Sequence, residues 1–135
     1  MALHTELDIY RSAFDLACAA VAAVMQMRRD AKPVVGRIMV DECFAIVRHI
    51  RLANMAADEG KETHLLQLLD SLTNVETALR ISRDMRFIAT PAYACLVQHT
   101  QSVGRQAQGW RNHYRGNANT RQPADPQGGQ ARALF

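Results

Sequence analysis

The chain has 135 residues, 48% of them apolar, and a formal net charge of +3. That length is one domain's worth and the apolar share is enough for a core, so a multi-domain reading is unnecessary. There is no 18-residue apolar span, and the start MALHTELDIYRSAF has no basic segment leading into a continuous apolar run, so we expect a cytoplasmic protein.

Thr5, followed by Glu6 and Asp8, has the character of an N-cap with acids in the first turn. Leu7, Tyr10, Phe14, Ala17/Cys18, Val21 and Met25 then recur every three or four residues, which predicts a first helix over about 5–29 with that stripe inward. After a turn at Asp30 to Pro33, Met39, Cys43, Ile46, Ile50 and Ala53 mark a second helix over 34–57, its face widened by Val40, Phe44 and Val47. A polar DEGK turn separates it from a third helix over 62–89, whose inner side reads Leu65, Leu68/Leu69, Leu72, Val75/Glu76, Leu79 and Met85.

Thr90-Pro91 starts the fourth helix, 91–115, because Thr can cap and Pro is tolerated in the first helical turn. Its stripe is Tyr93, Leu96/Val97, Thr100, Val103, Ala107, Trp110 and Tyr114. Residues 1–115 therefore form the folded unit. Residues 116–135, rich in Gly, Asn, Gln and Pro, are expected to be a flexible tail. Four long helices with short connections and no competing strand predict an all-α fold, an up-down-up-down antiparallel four-helix bundle.

Cys18, Cys43 and Cys95 lie in separate apolar runs with no CxxC pair, so all three are expected as reduced core thiols. The five His are scattered without metal-ligand spacing, and no GxSxG elbow, phosphate-cradling loop or dinucleotide fingerprint occurs. We expect no metal, no cofactor and no enzymatic activity.

What remains is arginine. Fourteen of the 16 basic residues are Arg, whose planar fork suits phosphates and carboxylates. Arg80, Arg83 and Arg86 recur at three-residue steps, with an Arg80 to Asp84 pair expected across one turn. In an up-down bundle they share a pole with Arg28, Arg29, Lys32 and Arg37, where seven cations meet Asp30, Asp41 and Asp84. Such a patch favours an anionic partner.

At the other pole Arg48, Arg51, Arg105, Arg111 and Arg115 meet acids, and ion pairing is the simpler expectation. Arg48 falls near the apolar side of its helix, where a partner across the bundle or a subunit interface should satisfy it. Gly104 and Gly109 each cost a helix roughly 1 kcal/mol relative to Ala. They are expected to make room for a close neighbour, with Trp110 packed in the core and Arg105 pointing off the stripe.

Several of these residues have a family likeness. Val103-Gly104-Arg105 followed by Gly109-Trp110, the Arg80, Arg83 and Arg86 series, Gly36-Arg37, Arg51 to Asn54, and the start from Glu6 to Tyr10 together resemble the small bacterial and phage four helix bundle protein family. That family includes the accessory variability determinant (Avd) proteins of diversity-generating retroelements and the proteins encoded in intervening sequences of bacterial large-subunit ribosomal RNA genes. The likeness covers residues 5–115.

It implies a homopentameric barrel of bundles and a non-catalytic accessory role, binding a reverse transcriptase with its template RNA and cDNA to support mutagenic retrohoming. By the same resemblance Arg80, Arg83 and Arg86 are the main partner-binding set, with Arg37 a weaker candidate; Arg28, Arg29 and Lys32 join that surface through the shared pole of the bundle. Gly104, Arg105, Gly109 and Trp110 shape packing and the subunit contact. The alternatives are an intervening-sequence type of bundle protein and a structural oligomer with no reverse-transcriptase partner.

Overall fold

Half of the first helix has no polar residue: from Leu16 to Met25 every side chain is apolar. Periodicity therefore cannot say which of its faces turns inward. In the computed structural model, which describes residues 7–121 and side chains through residue 114, the inward face is the small one. Helix α1, Asp8–Met25, buries Ile9, Ala13, Leu16, Ala17, Ala20 and Ala23. The expected inner stripe is rotated outward, leaving Phe14 51%, Met25 68% and Val21 37% exposed. Alanines take little volume on that face, so the large side chains of the neighbouring helices fill the core against it.

Three more helices follow: α2, Arg37–Met55; α3, Asp58–Asp84; and α4, Thr90–Arg121. The described residues are all-helical, with no strand. Backbone contacts join α1 to α2 and α4, and α3 to α2 and α4, whereas α1 and α3 do not meet, nor do α2 and α4. One core cluster lies among the four, centred on Leu16, Met39, Ile46, Ile50, Leu68, Leu79 and Val103. Each such side chain contributes on the order of 1.5–3 kcal/mol by leaving water. The α2 stripe is inward as read: Met39, Cys43, Ile46, Ile50 and Ala53 are all buried. On α3 Leu65, Leu68, Leu72 and Leu79 are buried as expected, but Ser82 takes the last inner place, its Oγ donating to the Ala78 carbonyl at 2.8 Å, and Met85 is exposed.

The connections differ most from expectation. Helix α1 ends at Met25 rather than near 29, because the chain turns on the Arg28 carbonyl, which accepts from the amides of Ala31 and Lys32, while Met27 and Ala31 sink into the core. One π-helical turn, Lys32–Gly36, leads straight into α2, with Pro33 in its first turn where a missing N–H is harmless. Gly36 has helical φ of −60°, so space rather than backbone freedom explains it: a Cβ there would sit 2.8 Å from Val24 Cγ1 of α1.

DEGK is no loop. Ala56 and Ala57 are extended, α3 begins at Asp58, and Lys61 reaches back so that its Nζ donates to the Ala53 and Ala56 carbonyls at 2.9 and 2.8 Å. These are the orphan acceptors at the end of α2, which a short Lys-bearing turn can satisfy without a glycine cap. Helix α4 continues past 115 to Arg121, overriding the predicted start of the tail at 116; residues 122–135 and the Thr5 cap lie outside the described residues.

The cysteines divide. Cys43 is buried and its thiol is pushed up to about 12 by burial and, secondarily, by Glu42. Cys18 and Cys95 are exposed, contrary to the expectation of three core thiols, because they stand one position off the buried faces of α1 and α4.

Two glycines can be told apart by substitution. At Gly36 the neighbour is the branched, stiff Val24, and Gly36→Ala should lower stability by about 1–3 kcal/mol as overpacking. At Gly104 the nearest atom is the free end of Leu72 at 3.3 Å, and a small rotation there is offset by roughly 1 kcal/mol of helix propensity, so Gly104→Ala should be close to neutral. Urea midpoints of the two variants against the parent protein check the contrast.

Candidate functional site

Helix α3 stops in a hydrogen-bonded motif that normally calls for glycine. The Phe87 amide donates to the Ser82 carbonyl at 2.7 Å and the Arg86 amide to the Arg83 carbonyl at 3.1 Å, the paired bonds of a Schellman cap. The left-handed residue in the motif is Arg86, with φ of 59°. A side chain in that conformation costs on the order of 1–2 kcal/mol, which glycine would avoid. The motif lifts Arg86 clear of the helix into solvent and turns Phe87 back onto the core.

Around this cap the chain gathers its cations. Arg28, just beyond α1, lies 6.0 Å from the centre of the Phe87 ring and donates to Asp30 at 2.8 Å. Arg83 sits 5.0 Å over the Tyr93 ring of α4, donates through Nη1 to the Tyr93 hydroxyl at 3.1 Å, and donates through Nε to Asp84 at 3.0 Å. The hydrogen bond to Asp84 is the main reason its pKa lies above the ordinary arginine value. The π turn that carries Lys32 and leads into Arg37 touches both α1 and α3. Arg37 reaches Asp41 only at 3.7 Å, on an exposed surface where such a pair contributes little.

Of the seven cations singled out by sequence, Arg29, Lys32, Arg80 and Arg86 are exposed and make no ion pair among the described residues. The expected Arg80 to Asp84 pair is absent because Asp84, the last residue of α3, is taken by Arg83. Four of the seven cations are thus left without an ion pair among the described residues.

The other end is chemically different. Arg111 of α4 pairs with Glu62 of α3 at 3.7 Å, both largely shielded, in line with the ion pairing expected there. His49 and His64 bring their rings within 6.4 Å, and their Nδ1 atoms and Arg111 Nε are buried with no hydrogen-bond partner among the described residues. Burial, then the positive charge of Arg48 and of His64, pushes the His49 imidazole below its ordinary pKa. No group of three His, Cys, Asp or Glu side chains gathers as a metal site among the described residues, and no helix there is long and apolar enough to cross a membrane.

Arg48 is exposed instead of near the core and lines an open cleft of about 340 Å³ with Tyr10, Phe44, Val47 and Arg51. Next to it an apolar groove of about 530 Å³ runs between α1 and α2, lined by Phe14, Val21, Met25 and Phe44 among others. Trp110 is half-buried against the core, Arg105 is exposed, and Gly104 faces Leu72 of the same chain. Gly109 would meet nothing within 4 Å if it carried a Cβ, so among the described residues it makes no room for anything. Side-chain detail for Arg115 lies outside the described residues.

Sequence reasoning passed over three residues that shape the basic end. Tyr93 was assigned to the core stripe, Glu76 was grouped with the inner side of α3, and Phe87 carried no signal of its own. The structure half-buries Tyr93 beneath Arg83 and exposes Glu76. The i, i+4 spacing of Glu76 and Arg80 was the available clue.

Comparison with models of known protein families returns no match to this chain, and no curated protein matches its sequence.

Two outcomes follow from this geometry. Arg86→Gly should raise stability by about 1 kcal/mol, read as a higher urea midpoint, since it relieves the left-handed conformation. Because His49 holds its proton less tightly in the folded chain than unfolded, stability should be complete above about pH 6.5 and fall as pH drops through the lowered folded value. His49→Gln should flatten that part of a stability profile measured between about pH 7 and 5.5.

Proposed function

We propose that this protein is an Avd-type accessory protein: a non-catalytic, cytoplasmic, antiparallel four-helix bundle that assembles as a homopentamer and uses its basic end to hold a reverse transcriptase with its RNA template and cDNA. The observation that carries the reading is the surplus of exposed, unpaired cations around the α3 cap, above all Arg86 kept in a conformation that disfavours it. Strain retained at a surface position is a pointer to function, since nothing in the fold requires that side chain there. Arg80, Arg83 and Arg86 are the main contact set, with Arg28, Arg29, Lys32 and Arg37 contributing to the same field.

An up-down-up-down arrangement is supported by pairs of contacts at opposite ends. Gln106, late in α4, donates to Ser12 early in α1 at 2.7 Å, while Ala23 and Ala92 share a cleft at the far end of the same helix pair. Likewise Arg111 meets Glu62, and Arg83 meets Tyr93, at the two ends of α3 and α4.

Assembly is supported by the outward face of α1 and α2. Phe14, Met25 and Phe44, each more than half exposed, line one apolar groove, more than a lone surface side chain would explain. Gly109, open within the chain, is available to a second copy, as is half-buried Trp110 beside it. Arg105 belongs to the same surface of α4.

Light scattering should give a mass near five times 15.1 kDa, rising when a retroelement reverse transcriptase and its RNA are added. Replacing Arg80, Arg83 and Arg86 together by Glu should leave helicity intact and abolish that rise. Retained association would remove the arginines from the interface, and a stable assembly indifferent to both additions would favour the intervening-sequence type or a purely structural oligomer. If about five phosphates of single-stranded RNA are neutralised, log K should fall against log salt concentration with a slope of about −3.5.

A further inference from the structure

Between α3 and α4, roughly two to three helical turns back along α3 from the Arg86 cap, lies a small cleft of about 180 Å³. That is the room of about six waters, well under the few hundred Å³ of a site for a whole drug-sized ligand, and it suits one planar ring. Leu79 and Val97 supply apolar surface, Tyr93 an aromatic one, and Glu76, Arg80 and Gln101 polar groups. The remaining lining residue, Thr100, already donates its hydroxyl proton to the Val97 carbonyl at 2.9 Å.

Glu76 and Arg80 stand one helical turn apart, Glu before Arg, the order that ordinarily gives an ion pair. Here they make none: no ion pair or hydrogen bond engages either side chain among the described residues. Gln101 is exposed and likewise uncommitted. A carboxylate, a guanidinium and an amide therefore open onto one cleft beside an aromatic ring, with their hydrogen-bonding capacity unspent. Tyr93 is held in place by Arg83, through both its hydroxyl and its ring.

We propose that this cleft is a nucleobase subsite that takes an unpaired guanine from single-stranded RNA. The inference rests on the nucleic-acid part of the function proposed above and adds base recognition to it. An ionised carboxylate only accepts, and it can accept two parallel bonds. Guanine alone among the four bases presents two adjacent donors, N1–H and N2–H, on its Watson–Crick edge, with the O6 acceptor beside them. Glu76 takes the two donors and Arg80 donates to O6. Adenine, cytosine and uracil each offer Glu76 a single donor group on that edge. The ring lies against Tyr93 and the Leu79 and Val97 surface, the usual way an unstacked base is held. Its phosphates then fall toward Arg83 and Arg86, which lie farther along α3 on the same side as the cap.

The test uses the full chain and three fluorescein-labelled single-stranded RNAs: an oligouridine, the same strand with one central guanosine, and the same strand with inosine there, which lacks N2–H. Anisotropy titrations should show the guanosine strand binding roughly tenfold tighter than oligouridine, in the range of one bidentate base contact, with inosine between. Glu76→Gln should bring the guanosine to oligouridine ratio close to one, and so should Gln101→Ala combined with Arg80→Ala; both sites are exposed, and circular dichroism checks that helicity is kept. A ratio near one in the parent protein, or a ratio that survives Glu76→Gln, overturns the guanine subsite while leaving backbone binding by the basic end in place. No binding of any strand at low salt overturns the subsite together with direct RNA contact. By contrast, replacing Arg29 and Lys32 by Ala should weaken all three strands alike, which separates the subsite from the general field.

Discussion

The small-residue inward face of α1 is the constraint on which the other features rest. Its inward residues are mostly alanine, and Gly36 at the start of α2 lies where any Cβ would strike Val24. Small residues on that face leave the core to be filled by the large side chains of the other helices. Once that face is inside, Phe14, Val21 and Met25 have only the outside left. The apolar groove shared with Phe44 is therefore a consequence of how α1 packs, and it is available to an assembly without any cost to the core.

The ends of the molecule are shaped by caps rather than by loops. Lys61 closes α2 from the first turn of α3, and the paired bonds of Phe87 and Arg86 close α3. Both devices satisfy orphan carbonyls and keep connections short, which holds α4 near α3 and places Tyr93 under Arg83. At the second cap a residue with a long cationic side chain stands where glycine is easiest. The same bend that ends the helix thus presents charge at the surface.

Electrostatically the two ends do different work. One sets Arg111 against Glu62 and keeps two imidazoles half-buried. The other leaves four of seven cations unpaired in solvent, where a field extends over roughly a Debye length, about 8 Å at physiological salt. Arg83 links the two behaviours. It is tied to Asp84 and Tyr93 and so orders the α3 to α4 junction, yet it remains exposed.

Much of the helical organisation was legible because it is local. Four apolar periodicities, the Thr90-Pro91 start and the inner face of α2 follow from spacing alone, and α2 is readable since Asp41, Glu42, Arg48 and Arg51 mark its polar side. The three-residue spacing of Arg80, Arg83 and Arg86 could likewise be read directly. The inward face of α1 could not be read, because its second half is apolar all round and only contact with α2 and α4 distinguishes alanine from phenylalanine there. Nor could the end of α3, where the decision is a left-handed Arg86, or the pairing of Asp84 with Arg83 in place of Arg80. Composition and periodicity set what each helix is; which faces meet, which cations stay unpaired and which polar groups line a common cleft depend on distances between helices, and those exist only in the folded chain.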